Sequence, residues 1–171
     1  MSSTPSLYAP WRMQYIKTLE AKNEPASPTG CFLCDAVTLF DSAEERRSRM
    51  ILWKSEHSIV VINKYPYTSG HLLIAPQRHL AEPEMLEDAE LLDLEKQTIR
   101  ATQLLKKVLN PQGFNIGENL GRAAGAGLPG HLHRHVVPRW NGDTNFMSVV
   151  GDCRIVPQAW DQLWQDLMAA V

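Results

Sequence analysis

Three histidines alternate with other residues at His131, His133 and His135, and a glycine-rich stretch runs directly into them. Side chains on a β-strand point to opposite faces in turn. The pattern therefore puts all three imidazoles on one face and Leu132, Arg134 and Val136 on the other. At ~3.3 Å per residue the outer two stand about 13 Å apart, with His133 between them. Five of the ten glycines fall between Gly117 and Gly130. Glycine lets a backbone bend and approach a ligand closely, so that its N–H groups can face phosphate oxygens. A neutral imidazole, with an ordinary pKa near 6.5, can attack phosphorus at physiological pH. One histidine on a strand is ordinarily structural, and two alternating ones suit a metal pair as in zinc hydrolases or cupins. Three at the end of a glycine loop, followed by Val136-Val137-Pro138-Arg139, favour nucleophilic attack on a phosphate ester or anhydride.

The remaining composition narrows the setting. A chain of 171 residues makes one domain with a core of its own. With 44% hydrophobic and 21% charged residues it belongs with ordinary globular proteins. A net charge of −2 and a pI near 6.3 supply no basic field, which excludes gripping a nucleic acid polymer as its main task. Apolar runs are short, as at Ile59 to Ile62, so no membrane span is expected. The first residues show no basic segment followed by an apolar one, and the cysteines number three. Both point to a reducing cytoplasm rather than a disulfide framework.

Four prolines punctuate residues 1–30, which read as an arm with Tyr8, Trp11, Met13, Tyr15 and Ile16 as its sticky face. Cys31 to about Met50 reads as a helix, its Glu44–Arg49 charge run a solvated face. Ser58–Asn63 and Gly70–Ala75 read as an antiparallel pair of strands across the turn Lys64–Ser69. The clearest helix starts at Asp88 as cap, carries the stripe Leu91, Leu94, Thr98, Ala101, Leu105 and Val108, and stops at Asn110-Pro111-Gln112-Gly113. Phe114–Ile116 and Leu132–Val137 are further strands, and Gln158–Ala169, with Trp160, Leu163, Trp164 and Leu167, is a terminal amphipathic helix. The expected class is α+β: an antiparallel sheet of about five strands with one long and one C-terminal helix.

Cys31-Phe32-Leu33-Cys34 has metal-knuckle spacing, yet a lone pair of this kind is a weak signal. Two buried thiols or a redox pair fit the same residues, although the strand-then-helix context of a redox motif is missing. Cys153 supplies no second pair, so a zinc site here would need histidines.

His131-Leu132-His133-Arg134-His135-Val136-Val137 resembles the signature of the histidine triad (HIT) superfamily of nucleotide hydrolases and transferases. Val61-Ile62-Asn63, Gly70-His71-Leu72-Leu73-Ile74-Ala75-Pro76 and Asn119 support the resemblance, which covers about Cys31 to Trp140. The segments Ala9–Met13 and Pro138–Met147 are most similar to one bacterial branch near the fragile-histidine-triad enzymes. That branch includes diadenosine tetraphosphate phosphorylases, also called ATP adenylyltransferases. The resemblance implies a HIT-like fold over residues 31–150, with the arm 1–30 before it and a helical extension 151–171 packed on the same domain.

It also implies site roles. His133 would attack the α-phosphorus and carry a nucleotidyl group; His135 would hold it in the attacking tautomer and contact phosphate; His71 would support both, with His131 completing the triad. Asn63 would bind the ribose and Ile62 pack the base. Asn119 and the backbone of Gly125, Ala126 and Gly127 would hold phosphate oxygens. Cys31, Cys34, His79 and His131 match the positions through which some members bind a structural zinc. Members are usually homodimers that pair their sheets. No organic cofactor is implied, and the sequence gives no reading on magnesium.

The family reading is therefore cleavage of dinucleoside polyphosphates through a nucleotidyl-histidine. Gly127 stands where many of the hydrolases carry a polar residue, often Gln, which tilts the reading from hydrolysis toward phosphorolysis. The alternatives are a nucleoside phosphoramidate or monophosphate-conjugate hydrolase, and a nucleotide-binding signalling module. Arg134 stands where an apolar residue is usual and should affect the opposite face of the sheet. His57 carries no expected role beyond a structural one.

Overall fold

Continuous apolar runs bounded by turns should be strands covered on both faces, and the computed structural model, which describes residues 29–143 and 159–171, contains two of them at its centre. β1 (Ile51–Lys54), β2 (Ser58–Ile62), β3 (Leu72–Pro76), β4 (Gly113–Glu118) and β5 (Arg134–Arg139) form one antiparallel sheet in the order β1-β2-β3-β5-β4. Every residue of β2 and β3 is buried, whereas the edge strand β4 is largely exposed. Four helices complete the described fold: α1 (Phe32–Thr38), α2 (Ala43–Ser48), α3 (Asp88–Leu109) and α4 (Trp160–Met168). The α+β expectation holds, with five strands, one long helix and one near the C-terminus. The arm residues Tyr8, Trp11, Met13, Tyr15 and Ile16, the segment Asn145–Met147 and Cys153 lie outside the described residues.

Alternation along the strands sorts the core into two layers. Leu52, Val60, Ile62, Leu72, Ile74 and Val136 meet Leu94, Leu104 and Leu105 of α3 and Leu163 and Leu167 of α4. Ile51, Ile59, Val61, Leu73 and Ala75 meet Cys31, Leu33 and Ala36 around α1 on the other side. The two sides of the sheet thus have separate tasks: α3 supplies bulk packing, and the α1 side is left for chemistry.

Several expectations shift. The helix expected over Cys31–Met50 is two short ones, broken where Ser42 accepts a hydrogen bond from the Glu45 N–H and caps α2. The charge run is not wholly solvated, since Arg49 reaches the buried Asp35 at 3.3 Å. β1 was hidden in the sequence between that run and the β2 strand. It is only four residues long, but Ile51, Leu52 and Trp53 are buried and the Trp53 indole N–H donates to Gln97 of α3 at 2.8 Å. Glu87 rather than Asp88 precedes α3, and its N–H donates to the Glu90 carboxylate. Arg78 holds Glu90 inward with two hydrogen bonds of 2.7 and 2.6 Å, so the buried face rolls away from Leu91, which is exposed, and takes in Leu104. Asn110 ends α3 in the left-handed conformation just before Pro111, as that punctuation requires. Gly70 also has a positive φ of 78°, and a Cβ there would lie 2.5 Å from the Leu109 side chain. Only glycine lets the β2–β3 turn press onto α3 and deliver His71 to the end of β3.

Candidate active site

The histidines occupy the α1 side of the sheet, but they do not form a single row. Regular strand begins only at Arg134, so His135 alone of the three lies within β5. The His133 and His135 rings stand edge to face at 5.1 Å. His131 turns its ring the other way, toward His79 at 5.0 Å and the two cysteines. Extended alternation fixed the face, and the chain's departure from strand geometry split the set.

Hydrogen bonding fixes the protons of the first group. A carbonyl can only accept, so the 2.8 Å contact between Nδ1 of His133 and the His131 oxygen places a proton on Nδ1 and makes Nε2 the nitrogen that carries the lone pair in the neutral ring. A backbone N–H can only donate, so the 3.1 Å bond from the Tyr67 N–H makes Nδ1 of His71 an acceptor. His71 then donates from Nε2 to Nδ1 of His135 at 2.9 Å. With Nδ1 accepting, the neutral His135 ring carries its proton on Nε2. The Asn119 amide nitrogen lies 3.4 Å from it, and since two donors do not bond, the Asn119 amide must present its oxygen to this N–H. Burial first, and then His135 and His133, push His71 down to about 3. Burial and His133 push His135 down to about 4. Both are neutral at physiological pH. Such an arrangement, a ring nitrogen with a lone pair beside an N–H donor, can support in-line attack at phosphorus.

The second group is a compact set of metal donors. One ligand atom from each of Cys31, Cys34, His79 and His131 lies within 4.8 Å of all the others. Nδ1 of His131 is 3.2 Å from the Cys31 sulfur and 3.5 Å from that of Cys34, and Nδ1 of His79 is 3.2 Å from the Cys34 sulfur. A tetrahedral zinc with such ligands sets edges of roughly 3.4–3.8 Å, so the residues fit the ion with small adjustment. His131 donates from Nε2 to the Pro76 carbonyl at 2.9 Å, which turns the lone pair of Nδ1 toward the thiols. Burial and the adjacent Cys31 push the Cys34 thiol up to about 11, a cost that a cation would reverse. The Leu132 N–H donates to the Leu80 carbonyl at 2.6 Å, tying together the segments that carry His131 and His79.

The other expected site residues divide. Asn119 borders His135 as described. Asn63 lies in the same turn as Tyr67, its amide nitrogen 3.2 Å from Nδ1 of His71 and its oxygen accepting from the Tyr65 N–H at 2.9 Å. Ile62 is a correction: it pairs with Leu72 in the layer beneath α3, only 3% exposed, on the face opposite His135. Strand alternation there denies it contact with a base bound on the histidine side. The glycine loop also differs from the expected cradle. The N–H groups of Gly125 and Ala126 donate to Arg122 and Gly121 within a tight turn, leaving only Gly127 of the three outside it. Arg134 does point away, pairing with Glu118 at 2.9 Å and Glu95 of α3 at 2.8 Å. The His57 ring lies 3.8 Å from Glu56, its N–H is held by Asp93 and its carbonyl accepts from the Gln77 N–H at 2.7 Å. The sequence reading passed over Tyr67, whose ring lies 4.7 Å from His71 and 5.9 Å from His135. The one available signal was an aromatic side chain in the turn that delivers His71.

A five-stranded antiparallel sheet with paired histidines at the end of its fourth strand in spatial order defines a class, and comparison with known proteins agrees. The HIT domain profile matches residues 44–142. The chain belongs to the HIT domain family. It is 39% identical over 155 residues to the AP-4-A phosphorylase of Mycobacterium tuberculosis, a match covering 89% of this chain and 76% of that protein. Over 93 residues it is 32% identical to an asymmetrical bis(5'-nucleosyl)-tetraphosphatase of Schizosaccharomyces pombe, covering 54% of this chain and 50% of that one. Among solved structures, a zinc-bound histidine triad family protein from Mycobacterium smegmatis matches with a TM-score of 0.64 at 26% identity, covering 83% of this chain and 93% of that one.

Proposed function

We propose that this protein is an enzyme that cleaves dinucleoside polyphosphates of the diadenosine tetraphosphate type through a nucleotide carried on His133. The observation that carries the reading is the hydrogen bond from Nδ1 of His133 to the His131 carbonyl, which makes Nε2 the lone-pair nitrogen of the neutral ring. Nε2 attacks the α-phosphorus, a P–N bond forms, and the bond to the bridging oxygen breaks to release ATP. The Nε2–H of His135 faces the phosphoryl oxygens as charge develops, and Asn119 stands beside it. Inorganic phosphate then attacks the adenylyl-histidine, releasing ADP and restoring the imidazole. Phosphate rather than water as the acceptor is supported by the 39% identity to a phosphorylase over most of the chain. The turn that bends the Gly125 and Ala126 N–H groups inward leaves Gly127 as the loop's contribution to the anion. Asn63 faces the ribose in this reading.

The test is turnover of diadenosine tetraphosphate with and without added phosphate. ADP and ATP formed only with phosphate support the reading, and phosphate-independent release of AMP would replace phosphorolysis by hydrolysis. Trapping of a nucleotidyl adduct on the wild type but not on His133→Ala tests the nucleophile.

Three further features belong to the same reading. Cys31, Cys34, His79 and His131 hold a structural zinc, which would clamp α1 to the chain just before His133. Two copies pair through the exposed edge of β4, where Asn115, Ile116 and Gly117 lie open. Residues 31–150 form the domain, with the arm 1–30 and the extension 151–171, whose Leu163 and Leu167 enter the α3 layer. No described helix is long and apolar enough to cross a membrane. The free thiols of Cys31 and Cys34 suit a reducing cytoplasm.

A further inference from the structure

Tyr67 has no part in the reading above, yet its ring packs against both members of the His71–His135 pair. Its ring is 42% exposed, whereas His71 beneath it is 0% exposed. The ring lies 4.7 Å from His71 and, at an angle of 27°, 5.9 Å from His135. Its N–H donates to Nδ1 of His71 at 3.1 Å, and His71 passes on a hydrogen bond of 2.9 Å to His135.

The direction of this chain follows from its first member. Because a main-chain N–H cannot accept, flipping the His71 tautomer would set donor against donor. His135 would then lose its donor on Nδ1 and have no reason to keep its proton on Nε2. Water reaching either ring would offer both nitrogens other partners and weaken that selection. The ring of Tyr67 packs against both imidazoles, at 4.7 Å from His71 and 5.9 Å from His135.

We propose that Tyr67 is a positioning residue, whose main chain and ring together hold His71 and His135 in the one proton arrangement that turns an N–H of His135 toward the site. The effect on turnover rests on His133 being the nucleophile; the effect on the imidazoles does not. The titratable groups facing His135 are His71 from β3, His133 from the start of its own strand and the Tyr67 phenol from the turn. From β4 the register sets Gly117 opposite it, and Glu118 is engaged by Arg134 on the other face.

Nitrogen-15 NMR of the imidazoles, recorded on the full chain beside pH–rate profiles, tests the proposal. Tyr67→Phe keeps ring and N–H, so its shifts and profile should match the wild type. Tyr67→Ala keeps the N–H but removes the cover. Its His135 nitrogens should move from a single tautomer toward averaged values, and the acidic limb should move to higher pH. Turnover should fall roughly tenfold with KM changed less than about twofold. Tyr67→Leu serves if the alanine variant folds poorly, as judged by its melting temperature. Wild-type shifts and profile in Tyr67→Ala would overturn the proposal. Equal losses in Tyr67→Phe would also overturn it, making the hydroxyl the working group. If the shifts move as expected while His133→Ala still turns over, Tyr67 keeps its role and the nucleophile assignment fails.

Discussion

His131 and His133 are two residues apart, both buried, and turned toward opposite groups. His131 donates from Nε2 to the Pro76 carbonyl and so presents Nδ1 to two thiols. His133 donates from Nδ1 to the His131 carbonyl and so presents Nε2 to the open side. In each case a single carbonyl chooses which nitrogen is bare. The residue type is the same; the nearest acceptor decides which ring nitrogen is offered, and with it the role proposed for each imidazole, ligand or nucleophile. His131 belongs to both arrangements, its ring to the thiol–imidazole cluster and its carbonyl to the hydrogen bond that orients His133.

The largest effect should come from the reactive half. His133→Ala should lower turnover on the order of 10³-fold or more while leaving metal content and melting temperature near those of the wild type. Cys34→Ser should do the reverse. Elemental analysis should read one zinc per chain in the wild type and none in the variant, and the melting temperature should fall by roughly 10 °C. A metal-free wild type that melts and turns over normally would remove the ligand half of the comparison.

Acid should separate the halves further. The folded values of His71 and His135, about 3 and about 4, lie below the ordinary 6.5, so protons favour the unfolded chain. Their contribution to stability is complete above pH 6.5 and is lost as the pH falls through 4 and then 3. Melting temperature should drop between pH 7 and 4.5, by roughly 5 °C, and His135→Asn should flatten that slope. A slope unchanged in the variant would put the acid sensitivity elsewhere. The smallest effect is expected on the far face. Arg134→Ala breaks the pairs with Glu118 and Glu95 and should cost about 1–2 kcal/mol by thermal melts, with turnover unchanged.

Much of this was legible in the sequence because it depends on local periodicity. The β2 and β3 runs, the α3 stripe and the stop at Asn110-Pro111 are short-range patterns, and each leads to its element. β1 was not legible: four residues carry little periodic signal, and the burial of Trp53 depends on Gln97, far away in the chain. The same limit explains Leu91, whose exposure follows from the grip of Arg78 on Glu90. In the site, the residue types were readable from their spacing. Ile62 was assigned to the wrong face because its place in the register with Leu72, beneath α3, is set by pairing between strands. Tyr67 was passed over because a turn aromatic gains meaning only when His71 lies beneath it.

What the sequence by itself determined is the set of reactive groups and the side of the sheet they share, because alternation and turn chemistry act over a few residues. Only the tertiary structure decided which nitrogen each imidazole exposes. That choice depends, for His131, on the Pro76 carbonyl and, for His135, on His71, both brought within hydrogen-bonding range by the pairing of β3 with β5.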